Sequence, residues 1–238
     1  MTTTATTTED AVAPVRVLVA DDQAMIRLGL RMIVDHEPDL EVVGEAGDGS
    51  EAVALAASTR ADVVLMDIRM PGTDGIAATR ALRADPERAG TRVVILTTFD
   101  DEEYVTGALQ AGADGFLLKD TDPGTLVAAV RRVHAGGNLL DPAVTGLVLE
   151  QWRRAHRPGA SAPGAAASSL DGLTARERDV LLAVARGRSN EEAGAALGIS
   201  VATVKAHVHA VLTKTGCTAR TQLVVLAYEA GLVVPGER

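Results

Sequence analysis

The stretch ADVVLMDIRMPGTDG, residues 61–75, decides the fold. Its first half is almost continuously apolar, which is typical of a parallel strand that is covered on both faces. Asp67 follows this apolar run directly, and the Pro, Gly and Asp residues after it favour a turn. The stretch therefore predicts a buried strand that ends on a carboxylate.

The alternation of a short apolar run with a longer helical segment continues outward from this stretch in both directions. Strands are predicted near 15–20, 40–46, 62–66, 92–97 and 115–118, and helices near 23–35, 49–58, 75–84, 101–112 and 123–136. Such alternation is typical of βαβ units. We therefore expect an α/β fold with a doubly wound, five-stranded parallel sheet.

The sequence changes character after this alternation ends. We assign residues 14–137 to the α/β domain, 138–169 to a linker and 170–238 to an all-α domain. Within the linker, a helix is expected to start at Asp141-Pro142. The Pro-, Gly-, Ala- and Ser-rich stretch RPGASAPGAAASS that follows predicts a flexible connection.

Composition limits the class of protein. The chain of 238 residues is 47% hydrophobic, and its single cysteine cannot form an internal disulfide. The sequence has no run of about 18 apolar residues, and MTTTATTTED lacks the pattern of a signal peptide. We therefore expect a soluble cytoplasmic protein without a membrane partner.

The net charge of −9 is unevenly divided along the chain. Residues 1–140 hold 12 basic and 23 acidic side chains, whereas residues 170–238 hold 8 and 7. The second domain is thus able to bind DNA if its cations share one face, although the acidic first domain weakens the long-range attraction.

Polar side chains stand at the ends of four predicted strands. These are Asp21 and Asp22 after the first strand, Asp67 after the third, Thr97 on the fourth and Lys119 after the fifth. Because parallel strands bring their carboxyl ends to one crevice, we expect these side chains to converge. A carboxylate there can accept a phosphoryl group when a divalent metal and a lysine neutralise the incoming charge. Mg²⁺ is the usual cation for oxygen ligands beside phosphate.

Each of these residues has a simpler interpretation when it is taken alone. The pair Asp21-Asp22 is able to cap the following helix, and Asp67 is able to begin a turn. Thr97 is able to bond its own backbone, and Lys119 to lie in solvent. The occurrence of all of them at strand ends, in chain order, favours a common site.

Capping signals divide the C-terminal domain into helices. Thr174 with Glu177 and Ser189 with Glu192 have the spacing of a capping box, and Ser200 precedes the segment VATVKAHVHAVLTKT. The second and third helices, joined by a short turn at Gly198, predict a helix-turn-helix.

The third helix has distinct sides at 100° per residue. The residues expected to face the core are Val201, Val204, Val208, Val211 and Leu212. The opposite side carries the small residues Ala202, Ala206, Ala210 and Thr213, flanked by Thr203, His207 and Lys214 on one edge and by Lys205 and His209 on the other. Such a face suits a helix that enters the major groove of DNA. A plain amphipathic surface helix is the alternative.

Two other residues of this domain carry expectations. Gly194 lies in the middle of the second helix, where glycine costs roughly 1 kcal/mol relative to alanine, so we expect loose packing there. Cys217 stands where a small apolar residue is expected, which favours a buried structural thiol over a redox sensor.

Residues 15–136 resemble the receiver domain of two-component response regulators, through VLVADDQAMIRLGL, VVLMDIRMPGTDG, VVILTTFDD and GADGFLLKD. The resemblance implies that Asp67 is the phosphoacceptor, and that Asp21, Asp22, Asp67 and the Arg69 backbone carbonyl hold the metal. It also implies Thr97 as the switch hydroxyl, Lys119 as the cation that pairs with phosphate, and Phe116 as the switch aromatic.

Residues 170–233 resemble the LuxR-type helix-turn-helix of NarL/FixJ response regulators, through LTARERDVL, GRSNEE, LGIS, ATVKAHV and TARTQLVVLA. This resemblance implies that Lys205, Ala206 and His209 read bases and that Thr203, His207 and Lys214 contact phosphates. It further implies that the last helix, about 219–231, carries the dimer contact through Leu223 and Leu226.

The two resemblances together predict a response regulator that is not an enzyme. It would accept a phosphoryl group on Asp67 from a sensor histidine kinase, and bind double-stranded promoter DNA as a homodimer. Mg²⁺ is the expected cofactor and RNA polymerase a further expected partner. Two alternatives stay open: a regulator that works without phosphorylation, and an aspartyl-phosphate phosphotransferase. Arg69 speaks against the latter, because it stands where such an enzyme has a second acid.

Overall fold

The apolar runs of the first domain form one parallel sheet. The computed structural model describes residues 13–88, 90–97, 102–137, 139–140 and 170–233. The predicted strands are β1 (Val15–Ala20), β2 (Leu40–Ala46), β3 (Val63–Asp67), β4 (Arg92–Thr97) and β5 (Gly115–Leu118). They pair in the order β2-β1-β3-β4-β5, all parallel, so the predicted sheet is confirmed.

A sixth strand, β6 (Leu139–Leu140), extends the sheet beyond β5. Leu139 pairs with Gly115 and Leu140 with Phe116. These two residues were predicted to lie in the linker, which was wrong, because two residues are too few to show the alternation that identifies a strand. The rest of the predicted linker, with the helix at Asp141, lies outside the described residues.

Helices connect the strands on both faces of the sheet. They are α1 (Ala24–Asp35), α2 (Gly49–Thr59), α3 (Gly75–Ala84), α4 (Glu102–Ala111) and α5 (Pro123–His134), with a 3₁₀ turn at Pro86–Arg88. Aspartates begin three of them by accepting a backbone N–H: Asp48 from Glu51, Asp74 from Ala77 and Asp122 from Thr125.

Alternate residues of a strand are buried on opposite faces of the sheet. On β1, Leu18 and Ala20 pack with residues of α2, α3 and α4, whereas Val17 and Val19 pack with residues of α1 and α5. All four are fully buried, and burial stabilises a side chain of valine or leucine size by about 1.5–3 kcal/mol. The sheet is therefore doubly wound.

The C-terminal domain consists of four helices in the described residues: α6 (Ala175–Ala185), α7 (Asn190–Leu197), α8 (Val201–Thr215) and α9 (Arg220–Glu229). Both predicted capping boxes are present, and the Ser200 side chain accepts the Thr203 N–H at 3.1 Å. Gly198 ends α7 with φ +65°, a left-handed conformation that glycine adopts without strain. The predicted helix-turn-helix is confirmed.

Three expectations about this domain were wrong. Val201 is 37% exposed and therefore does not lie in the core. Leu223 is fully buried in the core of the domain itself, which removes it from a dimer surface, while Leu226 is half-buried. Gly194 does not loosen α7: a Cβ there would lie 2.8 Å from the Ile199 carbonyl oxygen, so the glycine permits a close approach.

Candidate functional site

The carboxyl ends of β1 and β3 bring three aspartates together. Asp21 follows β1 and is fully buried, Asp67 ends β3 and is almost fully buried, and Asp22 is exposed. Each offers a carboxylate oxygen, and these oxygens all lie within 4.8 Å of one another. The predicted convergence of the acidic residues is therefore present.

Lys119 joins two of these acids. Its Nζ lies 2.7 Å from Oδ2 of Asp21 and 2.8 Å from Oδ2 of Asp67. Burial raises the pKa of the Asp67 carboxyl above its ordinary value, although Lys119 acts in the opposite direction. Burial also lowers the pKa of Lys119, but its hydrogen bonds to the two carboxylates outweigh this effect, and the pKa lies above its ordinary value.

Thr97 and Phe116 lie on the two strands next to the acidic site. Thr97 is the last residue of β4, and its backbone carbonyl accepts the Lys119 N–H at 2.9 Å. This bond places Thr97 and Lys119 at the same sheet edge. Phe116 on β5 is fully buried in the core beneath α4, so its ring points inward in this structure.

The donor set fits a hard divalent cation. Three carboxylates supply oxygen ligands, and among the described residues the only polar partner of Oδ2 of the buried Asp21 is Nζ of Lys119. Such oxygens are the ligands that Mg²⁺ takes in proteins. The backbone of Arg69 hydrogen-bonds to the Asp67 carboxylate, which places this residue at the site.

Two residues that support the site were missed by the sequence analysis. Arg27 on α1 donates from Nη1 to the backbone carbonyl of Asp21 at 2.7 Å, and its Nε lies 3.4 Å from Glu45. Gly75 begins α3, and a Cβ at this position would lie 2.0 Å from the Asp67 carbonyl oxygen. Neither role could be predicted, because an arginine six residues after an aspartate and a single glycine at the start of a helix are both common in sequences.

The DNA-binding candidates lie along α8. Thr203, Lys205, Ala206, His209 and Lys214 are exposed, and His207 is half-buried. Lys214 is paired: its Nζ lies 2.9 and 2.7 Å from the two carboxylate oxygens of Glu177. This contact, together with the Thr174 backbone N–H, lowers the pKa of Glu177 to about 2.

One edge of α8 faces the receiver-like domain. Lys205 and His209 line a cleft of about 490 Å³ together with Asp62, Arg92 and other residues of the first domain. A helix can enter the major groove of DNA only if the side that meets the bases is free of neighbouring protein. In this arrangement Lys205 and His209 remain exposed to solvent, but the first domain lies opposite them across a cleft that is too small to admit a DNA duplex.

Hydrogen bonds to backbone carbonyls hold the two domains together. Thr221 Oγ1 donates to the Ala113 carbonyl, and Gln222 Nε2 donates to the carbonyls of Leu109 and Gln110, each at 3.0 Å. A second group joins α7 and the loop before it to the end of α5: Asn190 Nδ2 donates to Ala135 at 3.1 Å, and Arg132 donates to Gly187. Both the α4–β5 region and the end of α5 thus contact the C-terminal domain.

Comparison with known proteins agrees with this architecture. Residues 17–131 match the family described as the response regulator receiver domain, and residues 171–227 match bacterial regulatory proteins of the luxR family. The chain is 40% identical over 219 residues to the uncharacterized transcriptional regulatory protein YxjL of Bacillus subtilis, covering 92% of this chain and 97% of that protein.

This chain is a two-component response regulator. The response regulator is also 38% identical over 219 residues to the transcriptional regulatory protein LiaR of B. subtilis, covering 92% and 99% of the two chains. Its structure is similar to that of ChrA, the response regulator of a heme-sensing two-component system, with TM-score 0.50, 37% identity and coverage of 93% and 100%. It regulates transcription through its LuxR-type domain.

Among the described residues of the response regulator, no single helix is long and apolar enough to cross a membrane. The pair formed by α7 and α8, bent by 105°, meets the length and composition criterion only when the two helices are taken together.

Proposed function

We propose that this response regulator is switched by transfer of a phosphoryl group to Asp67, and that the chain is not itself an enzyme. The observation that carries the proposal is the pairing of one lysine with two buried carboxylates, at 2.7 Å for Asp21 and 2.8 Å for Asp67. A nucleophilic carboxylate with a cation beside it is the arrangement that aspartyl phosphorylation requires.

The chemistry follows from the positions of these groups. A carboxylate oxygen of Asp67 attacks the donor phosphorus, the bond to the leaving group breaks, and that group departs with the bonding electrons. Lys119 can then exchange its contact with Asp67 for one with the phosphoryl oxygens, and the Thr97 hydroxyl can donate to another. Asp21, Asp22, Asp67 and the Arg69 carbonyl would hold Mg²⁺, which supplies positive charge to the transferred group.

We propose a sensor histidine kinase as the donor and promoter DNA as the target, bound by a homodimer in the cytoplasm. The base-reading residues would be Lys205, Ala206 and His209, and the phosphate contacts Thr203, His207 and Lys214. The proposed domain limits are 14–137 and 170–238. RNA polymerase would be a further partner at the promoter.

In the arrangement described above, the two domains contact each other, and we call this the closed form. Phosphorylation would act by shifting the equilibrium between this form and one in which the domains are separated. Because Lys205 and His209 face the first domain, the closed form is a poor DNA binder, and a phosphoryl group that favours separation of the domains would raise DNA affinity. The contacts that must break are those of Thr221 and Gln222 with the α4–β5 region.

Intact mass measured after incubation with acetyl phosphate tests this function. We expect a phosphoryl adduct in Mg²⁺ and none in EDTA. Asp67→Ala should abolish the adduct, whereas Asp120→Asn, which removes an exposed acid next to Lys119, should keep it. An adduct that persists in Asp67→Ala would move the acceptor elsewhere. No adduct with acetyl phosphate or with any sensor kinase would favour a regulator that works without phosphorylation.

A further inference from the structure

The cleft between the two domains has the size of a small-molecule site. Its volume is about 490 Å³, and ligand sites in proteins span roughly 300–1,000 Å³. Val208 and Leu212 of α8 provide an apolar part of its lining. The remaining lining consists of small and polar residues, four of which are arginine or lysine.

The charge of the cleft is opposite to that of the chain. Its lining includes Arg83, Arg92, Lys205 and Arg220, together with two histidines, but only one carboxylate, that of Asp62. The whole protein carries a net charge of −9. An excess of cations within one cleft of an acidic protein indicates selective attraction for anions.

Arg220 is the buried member of this group. It is 4% exposed, and its guanidinium donates to the Asn190 side chain at 2.8 Å and to the Arg188 carbonyl at 2.7 Å. Its Nε has no acceptor among the described residues. A buried guanidinium whose partners are all uncharged carries a desolvation cost that nearby negative charge would relieve.

The carboxylate of Asp114 does not supply this negative charge. Asp114 favours the charge of Arg220, but its carboxylate already accepts from Arg83, from Arg92 at 3.2 Å and from the Val93 N–H at 2.9 Å. Burial, followed by the charge of Arg92, lowers the pKa of Arg220 to about 10. The two domains thus place arginines near each other without a sufficient counter-charge.

Lys205 supplies an available cation on the other wall. It is exposed, and within the part of the chain that the structure describes its ammonium has no ion-pair partner. An anion in the cleft would therefore meet cations from both domains, Arg92 from the first and Lys205 and Arg220 from the second.

We propose that this cleft binds a small organic phosphate of nucleotide size, which bridges Arg92 of the first domain to Lys205 and Arg220 of the second. The phosphates lie among the cations and the organic part against Val208 and Leu212. The bound anion holds the domains closed and competes with DNA for Lys205. This site is separate from Asp67, and the anion binds it without itself taking part in phosphoryl transfer.

Isothermal titration calorimetry on the full chain tests the site, with adenosine diphosphate and inorganic pyrophosphate as probes, without Mg²⁺ and at constant ionic strength. We expect one saturable site for adenosine diphosphate, with pyrophosphate binding more weakly. Arg92→Gln and Lys205→Gln should each weaken binding about tenfold, the effect of losing one charged hydrogen bond. Arg186→Gln removes an exposed cation outside the cleft and should leave binding unchanged.

A second measurement reads closure directly. Cys217 is the only cysteine and lines the cleft, so adenosine diphosphate should slow its alkylation in the wild type and in Arg186→Gln, but not in Lys205→Gln. Absence of saturable binding by either probe would overturn the proposal, as would equal weakening in all three variants. Pyrophosphate that binds as tightly as adenosine diphosphate would overturn the role of the apolar wall. Because Lys205 is exposed and makes no ion pair with any described residue, Lys205→Gln tests the site even if Arg92→Gln fails to fold.

Discussion

Substitution of Gly136 by alanine should separate the two domains without phosphorylation. Gly136 follows α5, and a Cβ there would lie 2.1 Å from Nδ2 of Asn190 in the C-terminal domain. This atom donates to the Ala135 carbonyl at 3.1 Å, and Oδ1 of the same side chain accepts from Arg220 at 2.8 Å. Asn190 cannot move away in the closed form without losing these bonds.

The magnitude follows from the contacts that the closed form loses. A neutral hydrogen bond contributes about 0.5–1.5 kcal/mol and one to a charged group about 1.5–3 kcal/mol. In the variant's closed form Asn190 loses both bonds, whereas in the open form it keeps its bond to Arg220, so the closed form is disfavoured by about 2–4.5 kcal/mol, or roughly 30- to 2,000-fold. The φ of +78° at Gly136 strains alanine equally in both forms, so it lowers the stability of the first domain but does not shift the domain equilibrium.

The alkylation rate of Cys217 measures the opening, together with the radius of gyration from small-angle scattering. We expect the rate to rise at least fivefold in Gly136→Ala and the radius to increase. Gly231→Ala is the matched control, because Gly231 also has a positive φ, +67°, but a Cβ there would meet no atom within 4 Å. A folded Gly136→Ala protein with the alkylation rate and radius of the wild type would refute the reasoning.

Five other substitutions have definite expected outcomes. The pKa of Glu177 in the folded protein is about 2, below the ordinary value of 4.5. The pairing of Glu177 with Lys214 therefore stabilises the protein above about pH 4.5, and this stabilisation is lost as the pH falls toward 2. Glu177→Gln should remove this dependence of the melting temperature on pH. Gly75→Ala should lower the free energy of unfolding by about 1–3 kcal/mol in urea titrations, and it should reduce phosphorylation of Asp67 by acetyl phosphate. Gly29→Ala in α1 is the control: a Cβ there meets nothing within 4 Å, so this substitution should stabilise the protein. Gly194→Ala should destabilise the C-terminal domain by about 1–3 kcal/mol in the same titrations, although helix propensity alone predicts a gain. Lys205→Ala should weaken DNA binding by about 1–3 kcal/mol in anisotropy titrations, and unchanged affinity across operator variants would remove it from the base contacts.

The sequence predicted the features that depend on local pattern. Strand ends fix where Asp21, Asp67 and Lys119 lie, because a parallel sheet aligns the carboxyl ends of its strands. Capping boxes fixed the starts of α6 and α7, because the cap residue and its partner are three residues apart.

The features that depend on close approach could not be predicted. Gly75 and Gly194 are required by a carbonyl oxygen that lies close in space, and a single sequence does not show this distance. Leu223 was assigned to a dimer surface from the resemblance to the LuxR-type helix-turn-helix, and the apolar pattern of the helix did not correct this, because it does not distinguish a core contact from an intermolecular one. The acceptors in the domain contacts are the backbone carbonyls of Leu109, Gln110 and Ala113. Every residue type has such a carbonyl, so the sequence does not reveal where the acceptors lie.

Gln222 completes the end of a helix that belongs to the other domain. The last carbonyls of a helix have no partner within it, and Gln222 donates to two of those at the end of α4. Separation of the domains removes both of these bonds: the Leu109 carbonyl keeps the Gly112 N–H at 3.0 Å, but the Gln110 carbonyl loses the donor that Gln222 supplies, which couples the local stability of this helix to the position of the C-terminal domain. Such coupling is reciprocal. If phosphorylation favours separation, then DNA that captures the separated form must favour phosphorylation to the same degree, and the promoter becomes an input to the switch as well as its target.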